Sequence, residues 1–280
     1  MTSEIRSMPQ ITLGGERLSR LILGANTINA GSHLSRFVNE QMRAYFDEAQ
    51  VQALLAACGA QGINTWQAGP ANLEQLRRYR EGGGEVHFIS LAAEAYNGPE
   101  IVETLSQAGT LGVAHHGEVT DMLFKRGEID SIVPFLQKIR DAGMQVGIST
   151  HMPAVVDYVE SKGWDVDFYM TCVYERHRTR EELKALLGYV PLPVREVYLE
   201  EDPPRMYAAI QATERTCLAF KILAAGRLCD KQEAAEAAFK ATLTAIKPQD
   251  GVIVGIYPRF EDQVSLDADY VRRYSAPETR

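Results

Sequence analysis

The chain lacks the features that mark several large classes of protein. Its 280 residues include only four cysteines, without CxxC spacing, so we expect free thiols rather than a disulfide framework. No apolar run approaches the length that spans a bilayer, and the first ten residues lack the apolar core of a signal peptide. We therefore expect a cytoplasmic protein that has no membrane partner.

The charge balance excludes a further class. The chain carries 29 Lys and Arg against 37 Asp and Glu, a formal net charge of −8, which argues against a general nucleic-acid binder. Hydrophobic residues make up 45% of the sequence, which is enough to bury a sizeable core. A small-molecule substrate is the expected partner, and assembly into a homo-oligomer is compatible with this composition.

Strand-like apolar segments alternate with helix-like segments along the chain. The eight apolar segments span residues 20–26, 63–69, 86–93, 111–117, 145–151, 166–174, 217–226 and 251–258. Each is a continuous apolar run, which is typical of parallel strands buried on both faces. Eight such units predict a closed (β/α)8 TIM barrel, as a single domain over residues 1–280. A doubly wound open sheet is the alternative, but no GxGxxG follows the first strand.

A (β/α)8 barrel carries its chemistry where its strands end. His116 and His151 follow the fourth and fifth predicted strands, which are neighbours, so both side chains could reach one point. A divalent metal could be held there, with Cys172 or Glu118 as a further ligand. The alternative is that the two histidines only hydrogen-bond a substrate or the polar barrel mouth.

The stretch GVAHHGEVTD, residues 112–121, places two histidines side by side. Adjacent residues of a strand point to opposite faces, so only one of the pair can face the barrel mouth. We expect that one to be His116, with His115 packing behind it. A shift of register by one residue would exchange the two roles.

Lys221 ends the seventh predicted strand, inside an apolar run. A partly buried lysine has a lowered pKa and can act as a base, as a Schiff-base nucleophile or as an anchor for an anion. The alternative is a lysine whose amine reaches outward from the rim. Tyr174, in the loop after the sixth strand, is a further candidate catalytic residue because that loop would cover the mouth.

Five segments, in this order along the chain, resemble the aldo-keto reductase family. They are LGGERLSRLILGANTI (13–28), GINTWQAG (62–69), VGISTH (146–151), LAFKILAAGRL (218–228) and VIVGIYPRFEDQV (252–264). The resemblance implies an aldo-keto-reductase-like barrel preceded by a short hairpin.

The same resemblance implies that the family's redox chemistry is missing. Its aspartate position falls on Gln67, its tyrosine near Asn72 and its lysine at about Ala92, and only its histidine persists, as His116. Carbonyl reduction needs a proton donor, and neither glutamine nor asparagine can donate a proton at neutral pH. The family's usual reductase mechanism is therefore not expected.

Cofactor binding is a separate question. By resemblance, Ser149 matches a position that hydrogen-bonds the nicotinamide amide, and Phe220 matches the aromatic residue that stacks on its ring. Arg259 is the one basic residue kept in the segment that binds the cofactor phosphate in the family. Binding of NAD(P) is compatible with these residues.

Three hypotheses follow. The first is a lyase, isomerase or hydrolase acting on a small hydroxylated, carbohydrate-like substrate, with His116 and His151 as acid/base groups or metal ligands and Lys221 as base or anchor. The second is an NAD(P)-dependent oxidoreductase in which Tyr174 or His116 is a displaced proton donor. The third is a non-catalytic binding protein on the same scaffold.

Overall fold

A computed structural model describes residues 7–275. Its strands are β1 Gln10–Leu13, β2 Glu16–Ser19, β3 Leu21–Gly24, β4 Thr65–Ala68, β5 His87–Ala92, β6 Gly112–His115, β7 Gln145–Thr150, β8 Phe168–Cys172, β9 Thr216–Phe220 and β10 Gly251–Gly255. Its α-helices are α1 Arg36–Tyr45, α2 Glu48–Ala60, α3 Leu73–Glu81, α4 Glu94–Asn97, α5 Ile101–Gln107, α6 Gly117–Lys125, α7 Val133–Asp141, α8 Pro153–Lys162, α9 Arg180–Leu187, α10 Asp202–Ala212, α11 Gln232–Ala245 and α12 Gln263–Tyr274. Within these described residues, no helix combines the length and the apolar character needed to cross a lipid bilayer.

Strands β3 to β10 form a closed barrel in which all neighbours are parallel. The barrel closes where β10 pairs with β3, with Val252 opposite Leu21 and Gly255 opposite Gly24. Each of the eight apolar segments contains one barrel strand, and helices follow the strands around the outside. The predicted (β/α)8 barrel is confirmed.

The hairpin β1–β2 covers the N-terminal end of the barrel. A Cβ added at Gly251, the first residue of β10, would lie 3.1 Å from Cδ1 of Ile11 in β1. A Cβ added at Gly14, in the turn of the hairpin, would lie 2.6 Å from Cδ of Gln145, the first residue of β7. Because the hairpin packs on this end of the barrel, the opposite end, where the strands terminate, is the end at which we look for a site.

Side chains that alternate along the strands build two apolar layers. The inner layer joins the hairpin to the barrel interior and contains Ile11, Leu13, Leu18, Ile22, Ile89, Ala114, Phe168, Met170, Leu218 and Ile253. The residues between them, such as Val113, Val146 and Tyr169, pack in the larger layer beneath the helices. Burial on both faces explains why the strands read as continuous apolar runs.

Gly147 leaves the space that the Phe168 ring fills. The two residues are paired across β7 and β8, and a Cβ added at Gly147 would overlap the Phe168 ring, which is fully buried. We expect Gly147→Ala to lower the free energy of unfolding by about 1–3 kcal/mol because the inner layer must shift. Denaturant unfolding measures this loss.

Gly59→Ala is the matched control. Gly59 lies inside α2, and the nearest atom to an added Cβ is the Tyr79 hydroxyl at 3.5 Å, an ordinary contact. Alanine in a helix interior is favoured over glycine, so this variant should gain about 0.5–1 kcal/mol. An equal effect of the two substitutions would contradict the packing described for Gly147.

Candidate active site

A buried carboxylate holds His151 where β7 ends. Asp121, on α6, accepts hydrogen bonds from the Thr150 hydroxyl (2.5 Å) and from the backbone N–H of His151 (3.1 Å). The His151 ring places Nδ1 2.8 Å from Asp121 Oδ2. With Asp121 1% exposed and His151 5% exposed, this pair is fixed from three directions.

His177 joins the same carboxylate from the loop after β8. Its Nδ1 lies 3.1 Å from Asp121 Oδ2, and its ring centroid lies 4.2 Å from that of His151. We call Asp121, His151 and His177 the carboxylate–histidine cluster. Both rings direct Nδ1 at one oxygen, so each is assigned as an Nδ1–H donor, and Nε2 is then the acceptor nitrogen.

Burial and hydrogen bonding set the protonation states of the pair. Burial alone would raise the pKa of Asp121, but the hydrogen bonds from His151, His177 and Thr150 outweigh it and lower that pKa to about 2. Burial also lowers the pKa of His151 to about 4, against the opposing pull of Asp121. At neutral pH the cluster therefore holds an aspartate anion and a neutral His151. In the part of the chain that the structure describes, Nε2 of His151 has no hydrogen-bond partner, whereas Nδ1 has one.

The cluster is also the group of described residues that could hold a metal ion. One ligand atom from each of its three residues lies within 4.8 Å of the others. Of the ligands expected from the sequence, it contains His151, whereas His116, Cys172 and Glu118 lie outside it. The Asp121 carboxylate is already occupied by four donors, so the contacts favour a carboxylate that orients histidines over one that binds a metal.

The paired histidines take opposite positions. His115 is 4% exposed, places Nδ1 2.7 Å from the Thr120 hydroxyl and packs edge-on against Phe135 of α7, outside the barrel. His116 follows at the N-terminus of α6, partly buried, with its ring against Tyr96 and its buried Nδ1 without a hydrogen-bond partner. His115 thus lies in the packed layer beneath the helices, and His116 lies at the start of α6.

The two positions predict different effects of substitution. His115→Ala removes a buried ring and its hydrogen bond, so we expect a loss of about 2–3 kcal/mol in unfolding free energy, with activity kept by the folded fraction. His116→Ala removes fewer packed atoms and should cost at most about 1 kcal/mol. Melting temperatures of both variants, measured side by side, check the order. Equal losses would place both histidines in the packed layer.

A second buried charge network faces the cluster. Arg176, 6% exposed, donates from Nη2 to Glu196 Oε1 (2.9 Å), and its Nη1 lies 3.7 Å from Glu118 Oε1. Glu196 also contacts Nδ1 of His33 (3.2 Å) and accepts from the Tyr198 hydroxyl (3.1 Å). A second histidine is therefore held by a carboxylate at the same end of the barrel.

Lys221 lies beside both networks. It follows β9, and burial is the main cause that lowers its pKa, with Arg176 adding to the effect and Cys172, Glu196 and Glu118 opposing it. Lys221 also lines a cavity of about 410 Å³ that extends along the ends of β3, β9 and β10. The polar residues of the cavity lining, besides Lys221 and Tyr257, are Asn26, Thr27, Ser32, His33, Gln67 and Gln263.

Cys172 and Tyr174 do not line this cavity. Cys172 is fully buried, and burial raises the pKa of its thiol to about 12, so it is a neutral thiol at pH 7. Tyr174 is 8% exposed, packs against Tyr198 at 5.2 Å between ring centroids, and has a pKa raised to about 12, mainly by burial. Glu118 is half-exposed at the rim, 3.8 Å from His177 Nε2.

The residues matched to a nicotinamide site are not all in one place. Phe220 lines the cavity and packs edge-on against His151, with 5.5 Å between ring centroids. Ser149 is 1% exposed, its hydroxyl pressed against the start of α6, where a Cβ added at Gly117 would lie 2.9 Å away. Arg259 is exposed, stacks on Phe260 at 5.4 Å and does not line the cavity.

The sequence did not point to Asp121, Arg176, Glu196 or His33. Asp121 does carry a signal, because it lies four residues after Gly117 on α6 and therefore on the same helical face. Gly117 lets that face approach His151, whose Cε1 would lie 3.4 Å from an added Cβ. The others lie in irregular loops, where no periodicity reports on direction.

The fold defined above is that of (β/α)8 barrel enzymes, which include aldo-keto reductases. A truncated 3-deoxy-D-arabino-heptulosonate 7-phosphate synthase from Thermotoga maritima is 11% identical, with a TM-score of 0.55 over 95% of this chain and 91% of that chain. A glycerol dehydrogenase from Gluconobacter oxydans is 13% identical (TM-score 0.53, 97% and 98% covered). An aldo/keto reductase from Brucella melitensis is 12% identical (TM-score 0.50, 98% and 96% covered). No family model and no curated protein matches the chain. The resemblance to the aldo-keto reductase barrel is confirmed as a likeness of fold.

Proposed function

We propose that this protein is a lyase or isomerase that moves a proton beside the carbonyl group of a small hydroxylated, carbohydrate-like substrate. The carrying observation is His151, whose Nδ1 is held by the Asp121 carboxylate while Nε2 has no partner. A neutral imidazole oriented in this way is a general base, and the carboxylate stabilises the imidazolium that forms.

The cavity supports a carbonyl substrate. His151 itself does not line the cavity, but Phe220 does, and its ring packs edge-on against His151 with 5.5 Å between ring centroids, so one aromatic ring lies between the base and the cavity. Removing a proton beside a carbonyl puts negative charge on the carbonyl oxygen, and a cationic group there lowers the barrier. Lys221 is the one lysine or arginine of the described chain that lines the cavity. The amides of Asn26 and Gln67 are available to substrate hydroxyls.

Hydrogen–deuterium exchange on carbon tests the proposal without knowledge of the overall reaction. The protein is incubated in D₂O with a panel of small aldoses, ketoses and hydroxy acids, and NMR follows loss of the proton next to the carbonyl. We expect catalysed exchange with a subset of the panel. Exchange no faster than with His151→Gln on every compound would contradict a proton-transfer role.

Treatment with a chelator belongs to the same experiment. If His151 acts as a base oriented by Asp121, exchange should be unchanged by EDTA. Loss of exchange on chelation, with recovery on adding Zn²⁺ or Mn²⁺, would instead support a metal-assisted reaction at the carboxylate–histidine cluster.

An NAD(P)-dependent oxidoreductase is the second candidate, and the cavity itself favours it. Its lining follows β3, β9 and β10 and includes Phe220, the residue matched to the nicotinamide-stacking aromatic. If the cavity holds this cofactor, titration with NADPH should enhance the cofactor's fluorescence, and Phe220→Ala should weaken binding about tenfold or more. We expect no such binding at micromolar cofactor. Saturable binding would move the assignment to the oxidoreductase.

A further inference from the structure

Lys221 has an unusual backbone and an unpaired amine. Its φ is +59°, a left-handed conformation that a residue with a side chain adopts at a cost of about 1 kcal/mol. Among the described residues, no carboxylate lies within 4 Å of its Nζ and no hydrogen-bond acceptor is in reach. Its nearest defined contact is the Phe220 ring, 5.8 Å from Nζ to the centroid. The amine is not among the buried polar atoms that lack a partner, and Lys221 lines the cavity. A left-handed conformation together with an amine that is open to the cavity and has no ion-pair partner indicates a chemical role.

Lys247 shows which contacts a buried structural lysine makes in this protein. Lys247, also largely buried, donates to the Ile210 carbonyl (2.6 Å) and lies 3.0 Å from the Asp250 carboxylate. Its ammonium is therefore paired and hydrogen-bonded, as a buried cation requires. Lys221 has neither partner, and burial lowers its pKa, which raises the fraction of neutral amine.

Two histidine side chains, His33 and His151, are the groups around Lys221 that can transfer protons. His33 lines the same cavity, and its Nδ1 is held by Glu196 as that of His151 is held by Asp121. Burial is the main cause that lowers the pKa of His33 and of His151, and the charge of Lys221 adds to it. The adjoining wall is apolar, with Ile222, Leu223 and Ile253 limiting the access of water.

We propose that Lys221 Nζ forms a Schiff base with small aldehydes or ketones that enter the cavity. The amine lone pair forms a C–N bond to the carbonyl carbon as the C=O π bond breaks, and one proton passes from the nitrogen to the oxygen to give a carbinolamine. The hydroxyl then leaves as water with the second proton from the nitrogen, and C=N remains; hydrolysis reverses both steps, without an oxidant or reductant. His33, which lines the same cavity, would carry these protons.

This inference deepens the proposed function, on which it rests for the class of substrate. A protonated imine withdraws electrons from the neighbouring C–H bond more strongly than a carbonyl does. Formation of the imine at Lys221 would thus make proton removal by His151 easier. The structure therefore assigns a covalent role to the cationic group of the site.

Reductive trapping tests the proposal on the whole protein. The chain is incubated with glycolaldehyde or dihydroxyacetone, the C=N bond is reduced with cyanoborohydride, and the modified lysine is located by mass spectrometry of peptides. We expect Lys221 to be labelled at least about tenfold faster than exposed lysines, and Lys247 to remain unlabelled. Labelling of Lys221 no faster than of Lys184, an exposed lysine on α9, would overturn the proposal.

Two variants make the result specific. Lys221→Arg keeps a long cation and should abolish the fast adduct, whereas Lys184→Met should leave it unchanged. If Lys221→Arg unfolds, Lys221→Met is used in its place, and the peptide map of the wild-type protein decides in either case. The deuterium exchange test stands apart from this one. Deuterium exchange without trapping of Lys221 would overturn the Schiff base but leave the proposed function standing. Trapping of Lys221 without deuterium exchange would overturn the proposed function but leave the Schiff base standing.

Discussion

Asp121→Asn is expected to lower the rate of carbon-bound proton exchange by about 10²–10⁴-fold. The carboxylate holds His151 through Nδ1 and favours the imidazolium that forms when Nε2 takes a proton. Asparagine keeps the size of the side chain but removes the charge, and it can present an N–H₂ group to donors that need an acceptor. His151→Gln should remove the base itself and cause a loss at least as large.

Asp130→Asn is the matched control for this change. Asp130 is an exposed aspartate between α6 and α7 that accepts a hydrogen bond from the Tyr158 hydroxyl (2.8 Å), remote from the cluster in its contacts. The Asp130→Asn variant should catalyse carbon-bound proton exchange at the same rate as the wild-type protein. Circular dichroism and the melting temperature show whether Asp121→Asn is folded. A folded Asp121→Asn variant with undiminished exchange would rule out the orienting role.

The barrel could be predicted from the sequence because its strands are buried on both faces. Runs such as VIVG, which forms β10, show no polar alternation, since the inner layer covers one face and the helices cover the other. Helix α1 lies outside the eight strand–helix units predicted from the sequence. It carries an apolar stripe at Val38, Met42 and Tyr45, but of these only Met42 is buried, so the helix adds little to the core.

The site could be predicted only where strand ends define it. The sequence makes His116, His151 and Lys221 candidates because a parallel barrel brings all its strand ends to one rim. The partners that orient them come from elsewhere: Asp121 from a helix and Glu196 from a short 3₁₀ helix, Val194–Glu196, in an irregular segment. The spacing of residues along the chain does not predict that the Asp121 carboxylate faces His151, because the two residues are 30 positions apart.

Lys221→Met should make the protein more stable and should remove the amine that forms the proposed Schiff base. The methionine keeps most of the apolar stem, and the unpaired ammonium, whose burial opposes the charged form, is gone. We expect the free energy of unfolding at pH 7 to rise by about 0.5–2 kcal/mol, and reductive trapping at this site to be lost. Denaturant unfolding of both proteins, with Lys184→Met as the control that should change little, measures the gain.

The pH dependence of that gain identifies its cause. The pKa of Lys221 is lowered in the folded state from 10.5, so between the two values the unfolded chain binds more protons and wild-type stability rises with pH. The Lys221→Met variant lacks this group, so its advantage should be largest at neutral pH and shrink as the pH approaches 10.5. The neighbouring thiol of Cys172, with a pKa of about 12, stays neutral in this range. The difference between the two unfolding curves therefore reports on the Lys221 amine. A gain that did not shrink with pH would trace to packing, and a variant less stable than the wild-type protein would show that the ammonium is satisfied in the folded chain.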